Sequence, residues 1–204
     1  SCLRLPLMPS NDLFGRYKAL LVALKAIVKV SQSRVLSDDL DELFSENVNF
    51  FVKSYLISTC TYLEAYLQDL AFDLSQTICA RLNAACLPHN FVYWRTAKEI
   101  KEKELKFENL NWSLSKKEVA DDLSANPYKT IKIFKFLGVD LSQEEGFIEN
   151  KDLVAAIVNK RNNIVHHNDV ANDVSFSDVV SYIDVFISYM HAIKIAVYSA
   201  DAGA

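Results

Sequence analysis

Residues 177–198 read SDVVSYIDVFISYMHAIKIAVY, and within them Val179, Ile183, Phe186, Met190, Ile193 and Val197 recur at alternating steps of four and three. That spacing lays one apolar seam along an α-helix, the kind that packs knobs into holes against neighbouring helices. Working outward, a second long helix is expected from about Val48 to Leu82. Its stripe of Val52, Leu56, Leu63, Leu67, Leu70, Leu74 and Ile78 is widened by Phe51, Tyr55, Tyr62, Tyr66 and Phe72. A helix apolar around so much of its surface has to be covered by neighbours or by a second subunit.

The remaining elements follow from start and stop signals. Asn11 is expected to cap a helix from about Asp12 to Val30, and Asp38 to Ser45 reads as one or two helical turns. Ser115 and Glu118 form a capping-box pattern that opens a short helix to about Leu123. Asn126 as cap, Pro127 at the first position and Gly138 just past the end define another over 127–137. Asn150 or Asp152 is expected to start a helix carrying Leu153, Val154, Ile157, Val158, Ile164 and Val165, and the last helix begins near Ser177. No strand pattern competes. The expected fold is all-α, a bundle of four to five main helices with short helices inserted before the last two.

Composition agrees with this. Among 204 residues there are only 4 glycines and 4 prolines, below the usual shares of about 7% and 5%, which disfavours a turn-rich β design. A chain 50% hydrophobic and 24% charged is neither disordered nor low in complexity. Residues 1–10 are set aside as an N-terminal tail without a signal-peptide apolar core, and 11–200 are expected to form one helical domain. The apolar stretches are interrupted by Lys25, Lys29, Asp184, His191 and Lys194, so no membrane span is expected. Cys2, Cys60, Cys79 and Cys86 lack paired spacing, which favours a reduced, cytoplasmic setting. The run Lys98 to Lys106 reads as a solvated helix face with Glu-to-Lys pairs.

Several chemistries lack their motifs. No GxGxxG, GxxxxGK[ST] or GxSxG is present, so backbone phosphate cradles and the nucleophile elbow have no support. None of His89, His166, His167 and His191 has a Glu three residues before it, as a di-iron bundle would require. Adjacent His166 and His167 project in different directions with no nearby Cys, which disfavours zinc. No metal or other cofactor is expected.

One constellation stands out: Arg161-Asn162-Asn163-Ile164-Val165-His166-His167-Asn168-Asp169, at the end of an otherwise apolar helix. Five helical steps put Arg161 and His166 about 140° apart, so they converge within one chain only if the helix frays or turns after Val165. Asn168 and Asp169, both turn formers, make that break reasonable. Arg161 shares a face with Val154, Val158 and Val165, so its stem is expected to run along the bundle with its guanidinium reaching a groove. A purely structural role is the competing reading, with the Arg clamping a helix end and the His capping the last carbonyls.

Arg161-Asn162-x-x-x-His166 resembles the R-x(4–6)-H motif of the HEPN superfamily (higher eukaryotes and prokaryotes nucleotide-binding domains), including the polar residue after the Arg. The motif sits on a penultimate helix, with the tyrosine-rich Tyr62-Leu63-Glu64-Ala65-Tyr66 far upstream. Asn126-Pro127-Tyr128 through Phe136-Leu137-Gly138-Val139 is similar to the capped helix that precedes the motif in the RiboL-PSP and MAE_28990 types. The resemblance spans roughly Val48 to Tyr198, and His167 departs from it, since a small residue commonly follows the motif His. It implies a metal-independent endoribonuclease, a toxin or antiviral defence effector, that cleaves RNA by 2′-OH attack at a site shared by two copies of a homodimer. Arg161 and His166 would be catalytic, with Asn162, His167 and Lys160 in support. An antitoxin or another defence-system protein is a further implied partner. Two other readings stay open: a non-catalytic HEPN module that binds RNA, nucleotide or a partner protein, and a structural adaptor using the last helix as its interface.

Overall fold

Asp12 caps the first helix, its carboxylate accepting the Gly15 N–H at 3.0 Å, and α1 (Leu13–Val35) runs a turn beyond the expected Val30; Asn11, the expected cap, lies outside the described residues. The computed structural model describes residues 12–39, 41–88, 91, 92, 95, 112–167 and 173–203. Among them the chain continues with α2 (Glu42–Glu46), α3 (Val48–Ala84), α4 (Lys116–Asp122), α5 (Pro127–Phe136), a 3₁₀ turn at Leu141–Gln143, α6 (Glu145–His167) and α7 (Phe176–Gly203). The four long helices are α1, α3, α6 and α7, which makes the protein an all-α bundle. The charge run at 98–106 lies outside the described residues, as do Asn168 and Asp169.

The short helices start and stop where the sequence signals place them. Ser115 Oγ accepts from the Glu118 N–H while the Glu118 carboxylate accepts from Ser115 N–H at 2.8 Å, closing the capping box of α4. Asn126 Oδ1 accepts from the Tyr128 N–H at 2.9 Å to open α5. At its other end Gly138, at φ +84°, lets Val139 N–H reach back to Phe134 O, a left-handed turn that disfavours any residue with a Cβ. At the head of α7, Ser175 and Asp178 exchange the same reciprocal bonds.

α6 is the exception. It begins at Glu145, five residues before Asn150, so Asn150 is interior and its amide donates to Gly146 O at 2.7 Å. Tertiary packing overrides the local signal: Phe147 is completely buried and stacks on Tyr189 with ring centroids 4.9 Å apart. Gly146 lets the backbones close up, since a Cβ there would sit 3.2 Å from the Ala192 Cβ on α7.

α7 lies between α1, α3 and α6, and all six of its seam residues, Val179 to Val197, are buried. Their burial, at roughly 1.5–3 kcal/mol for each large side chain, is the main force holding the bundle together. The Tyr66 hydroxyl donates to Met190 O at 3.1 Å inside the core and fixes α3 against α7. By length and a mean hydropathy of 1.3, residues 176–200 of α7 are long and apolar enough to cross a membrane. Here their most apolar side chains face the other helices. Neighbouring helices cover most of the apolar surface of α3 and α7. α3 exposes Phe50 and α7 exposes Ile195 and Tyr198, whereas α1 exposes Leu20, Val22, Ile27 and Val30.

Candidate functional site

Phe147, Val154 and Arg161 follow one another at seven-residue spacing along α6, so Arg161 occupies a position where the helix seam would otherwise place an apolar residue. Its stem is covered by α3, and its side chain is 18% exposed. The guanidinium Nη2 donates to Glu64 Oε2 on α3 at 2.7 Å, while Nε is buried without a hydrogen-bond partner among the described residues. Cys60, one turn before Glu64, is completely buried beside this pair. Burial pushes its thiol up to about 12 even though the Arg161 charge pulls the other way, so it stays protonated and unreactive.

The Arg161–Glu64 pair forms one wall of a groove between α3 and α6, with a volume of about 410 Å³. Ile57, Ala65 and Val165 make its apolar part, and Thr61 and Gln68 add polar groups. Gln68 is itself held, its amide donating to Leu123 O at 3.0 Å, which ties the groove to the end of α4. The sequence expectation of an Arg with its stem along the bundle and its head in a groove describes what is seen.

The expected break after Val165 does not occur. α6 remains helical through His167, so Arg161 and His166 stay about 140° apart on one helix. The motif therefore divides between two faces. Arg161 and Val165 line the groove, whereas Asn162 and His166, four residues and about 40° apart, share the neighbouring face, with His166 exposed. Hence Asn162 is placed beside His166 rather than beside the Arg161 head. Lys160 forms an ion pair with Asp173 across the turn into α7, and that hydrogen bond and charge hold the Asp173 carboxyl below its usual range. Its charge is thus offset within the chain. His167 is the last residue of α6.

Glu64 belongs to no motif, yet the sequence carries a signal for it. Glu64 is the only acidic residue between Val48 and Gln68, on a helix otherwise rich in apolar and aromatic side chains. A lone carboxylate there requires a cation. A second polar cluster lies farther along α3, where Asp69 accepts from Arg16 at 2.6 Å, Tyr17 at 2.8 Å and Lys116 at 2.9 Å. It joins α1, α3 and α4. Among the described residues no three His, Cys, Asp or Glu side chains gather as a metal site.

A family model described as RiboL-PSP-HEPN matches residues 17–199. The match reaches from α1 to α7, farther toward the N-terminus than the resemblance read from the sequence motifs. No curated protein and no solved structure matches the chain.

Proposed function

Since the chain belongs to the RiboL-PSP-HEPN family, we propose that it is a metal-independent endoribonuclease whose site is completed by a second copy of the chain. The observation that carries this reading is Arg161: a guanidinium fixed by Glu64 at the wall of an open groove. A planar cation held this way can donate its remaining Nη hydrogens to a phosphodiester oxygen and stabilise the charge that develops on it.

Cleavage through the 2′-OH also needs a base for that hydroxyl proton and an acid for the departing 5′-oxygen. His166, exposed at the end of α6, is suited to either task because an imidazole can both take up and give a proton. With α6 unbroken, a chain directs its own His166 away from its own Arg161 groove. Two copies related by a twofold axis would bring the His166 of one toward the Arg161 of the other. Single-stranded or looped RNA fits such a cleft best, since its backbone is free to place the 2′-OH in line. Asn162, on the face of His166, would orient that imidazole. A role as a toxin or antiviral effector, checked by an antitoxin or another defence-system protein, is part of the same reading.

The test is incubation of total RNA with the purified protein in EDTA, wild type beside His166→Ala. Products ending in 2′,3′-cyclic phosphate and 5′-OH, absent from the variant, are expected. A second reading, a non-catalytic HEPN module, is favoured by one observation: the Arg161 head is already engaged by Glu64. Absence of cleavage by a folded dimer would support that reading.

A further inference from the structure

The exposed side of α5 carries a composition found on no other described helix. Tyr128, Lys129, Lys132, Lys135 and Phe136 are all exposed, and on an ideal helix they fall within an arc of about 120°. Tyr128 is 60% exposed and Phe136 75%. The helix PYKTIKIFKF has no acidic residue, and its opposite face, through Thr130 and Phe134, is buried. Lys132 Nζ lies 5.9 Å from the centre of the Phe136 ring, and Lys151 of α6 reaches over Tyr128 at 5.5 Å. Lys129, Lys132 and Lys135 form no ion pair among the described residues. Asp140 lies near enough for Lys135 to favour its charged form, and Asp152 sits 3.7 Å from Lys151.

We propose that this face of α5, together with Lys151, is a binding platform for single-stranded nucleic acid, separate from the Arg161 groove; its identification with the RNA substrate rests on the function proposed above. Two large rings left in water beside three ammonium groups that form no ion pair among the described residues are a poor solution for a bare protein surface, and each part has a use on a nucleic acid strand. Bases unpaired in a single strand stack on aromatic rings, and lysines track the phosphates. Tyr128 and Phe136 are eight residues apart, about 12 Å along the helix, too far to share one base, so they would engage separate bases of one strand. The lysines at steps of three follow the same line. An acidic protein would pair with the lysines but has no comparable use for two exposed rings of opposite ends. The platform is also placed to serve the groove. Lys151 precedes Arg161 by ten residues, about 15 Å along α6, so a strand with a phosphate at Arg161 could reach Tyr128 within a few nucleotides.

The experiment is fluorescence anisotropy of the full chain with a labelled 20-nucleotide RNA carrying 2′-O-methyl groups, which binds without being cut, at two salt concentrations. Replacing Lys129, Lys132 and Lys135 together by alanine should weaken binding about 10-fold or more and lower the salt slope by up to about 2, at roughly 0.7 per lost phosphate contact. Tyr128→Leu and Phe136→Leu should each weaken single-strand binding by about 5-fold or more. The two ring changes should leave a duplex of the same sequence bound as before. Single-stranded DNA of that sequence should depend on the same residues, as the platform reads bases and phosphates rather than the 2′-OH. Unchanged affinity in the lysine variant would overturn the proposal. So would sensitivity to the lysines but not to the rings, or lysine-dependent binding of polyglutamate in place of RNA. Because binding is read without cleavage, an inactive protein that still binds through α5 would sink the nuclease and leave the platform standing, while a nuclease indifferent to these changes would do the reverse.

Discussion

Glu64 and Arg161, 97 residues apart in the chain, meet at 2.7 Å between α3 and α6 with side chains 30% and 18% exposed. This pair ties a residue of the HEPN motif to the long helix that forms much of the core. Such a partly covered pair should contribute more than the roughly 1 kcal/mol of an exposed one and less than the roughly 3 to 5 kcal/mol lost when a fully buried pair is broken. Glu64→Ala and Arg161→Ala are each expected to destabilise the fold by about 1–3 kcal/mol. The double variant should be less destabilised than the two together, since no charge is then left alone. Urea unfolding of the four proteins checks this, and strict additivity would show that the pair is not coupled.

Loss of function should separate from loss of stability. Arg161→Lys keeps a cation facing Glu64 and so should keep the fold, yet it lacks the planar fork and should be strongly impaired in RNA cleavage. His166→Ala should be inactive with an unchanged melting temperature, because His166 is exposed.

If Arg161 and His166 act across a twofold axis, inactive Arg161→Lys and His166→Ala chains should complement each other. Half of the dimers in an equal mixture would be heterodimers, each with one intact site of two, giving about a quarter of wild-type activity after subunit exchange. Light scattering should report twice the chain mass. A monomer, or a mixture as inactive as its components, would refute the shared site.

The Asp69 cluster gives a pH dependence with a definite sign. Burial pushes Asp69 up, but hydrogen bonds from Lys116 and Tyr17 and the charges of Lys116 and Arg16 leave it below its usual range. Its stabilising contribution is therefore complete above the ordinary carboxylate value near ~4 and is lost as the pH falls through the lower folded value. Asp69→Asn should abolish this part of the acid sensitivity, read as melting temperature between about pH 2 and 5. Asp73, one turn on, is raised by burial and then by the Asp69 charge. Asp73→Asn should consequently maintain or increase stability at neutral pH.

Packing between α6 and α7 is close at Gly146, where a Cβ would lie 3.2 Å from the Ala192 Cβ. Gly146→Leu is expected to force the helices apart and cost about 1–3 kcal/mol. Gly146→Ala tests the same contact more gently, and a fully stable Leu variant would show that the two helices are free to separate there.

Helices whose apolar period is long and whose caps are local were legible in the sequence: the α7 seam, the α4 capping box and the Asn126–Pro127 start with the Gly138 stop of α5. The start of α6 was not. Gly146 and Asn150 resemble end signals, and only the stacking of Phe147 on Tyr189, forty-two residues later, makes that segment helical. At the candidate site the same division holds. Arg161 and its groove position followed from helical periodicity, whereas its partner Glu64 and the pairing of Lys160 with Asp173 are tertiary choices that spacing does not encode. The expected turn after Val165 rested on Asn168 and Asp169, but α6 continues two residues past it.

Cys60 lends the α3–α6 seam a built-in clock. Its sulfur is sealed beneath Arg161 and Glu64, whereas Cys86 lies open at the surface. With Cys2, Cys79 and Cys86 replaced by serine or alanine, a thiol reagent can reach Cys60 only while the two helices are parted. The labelling rate then reports how often the seam opens, and a strand bound at Arg161 that braces α3 against α6 would slow it.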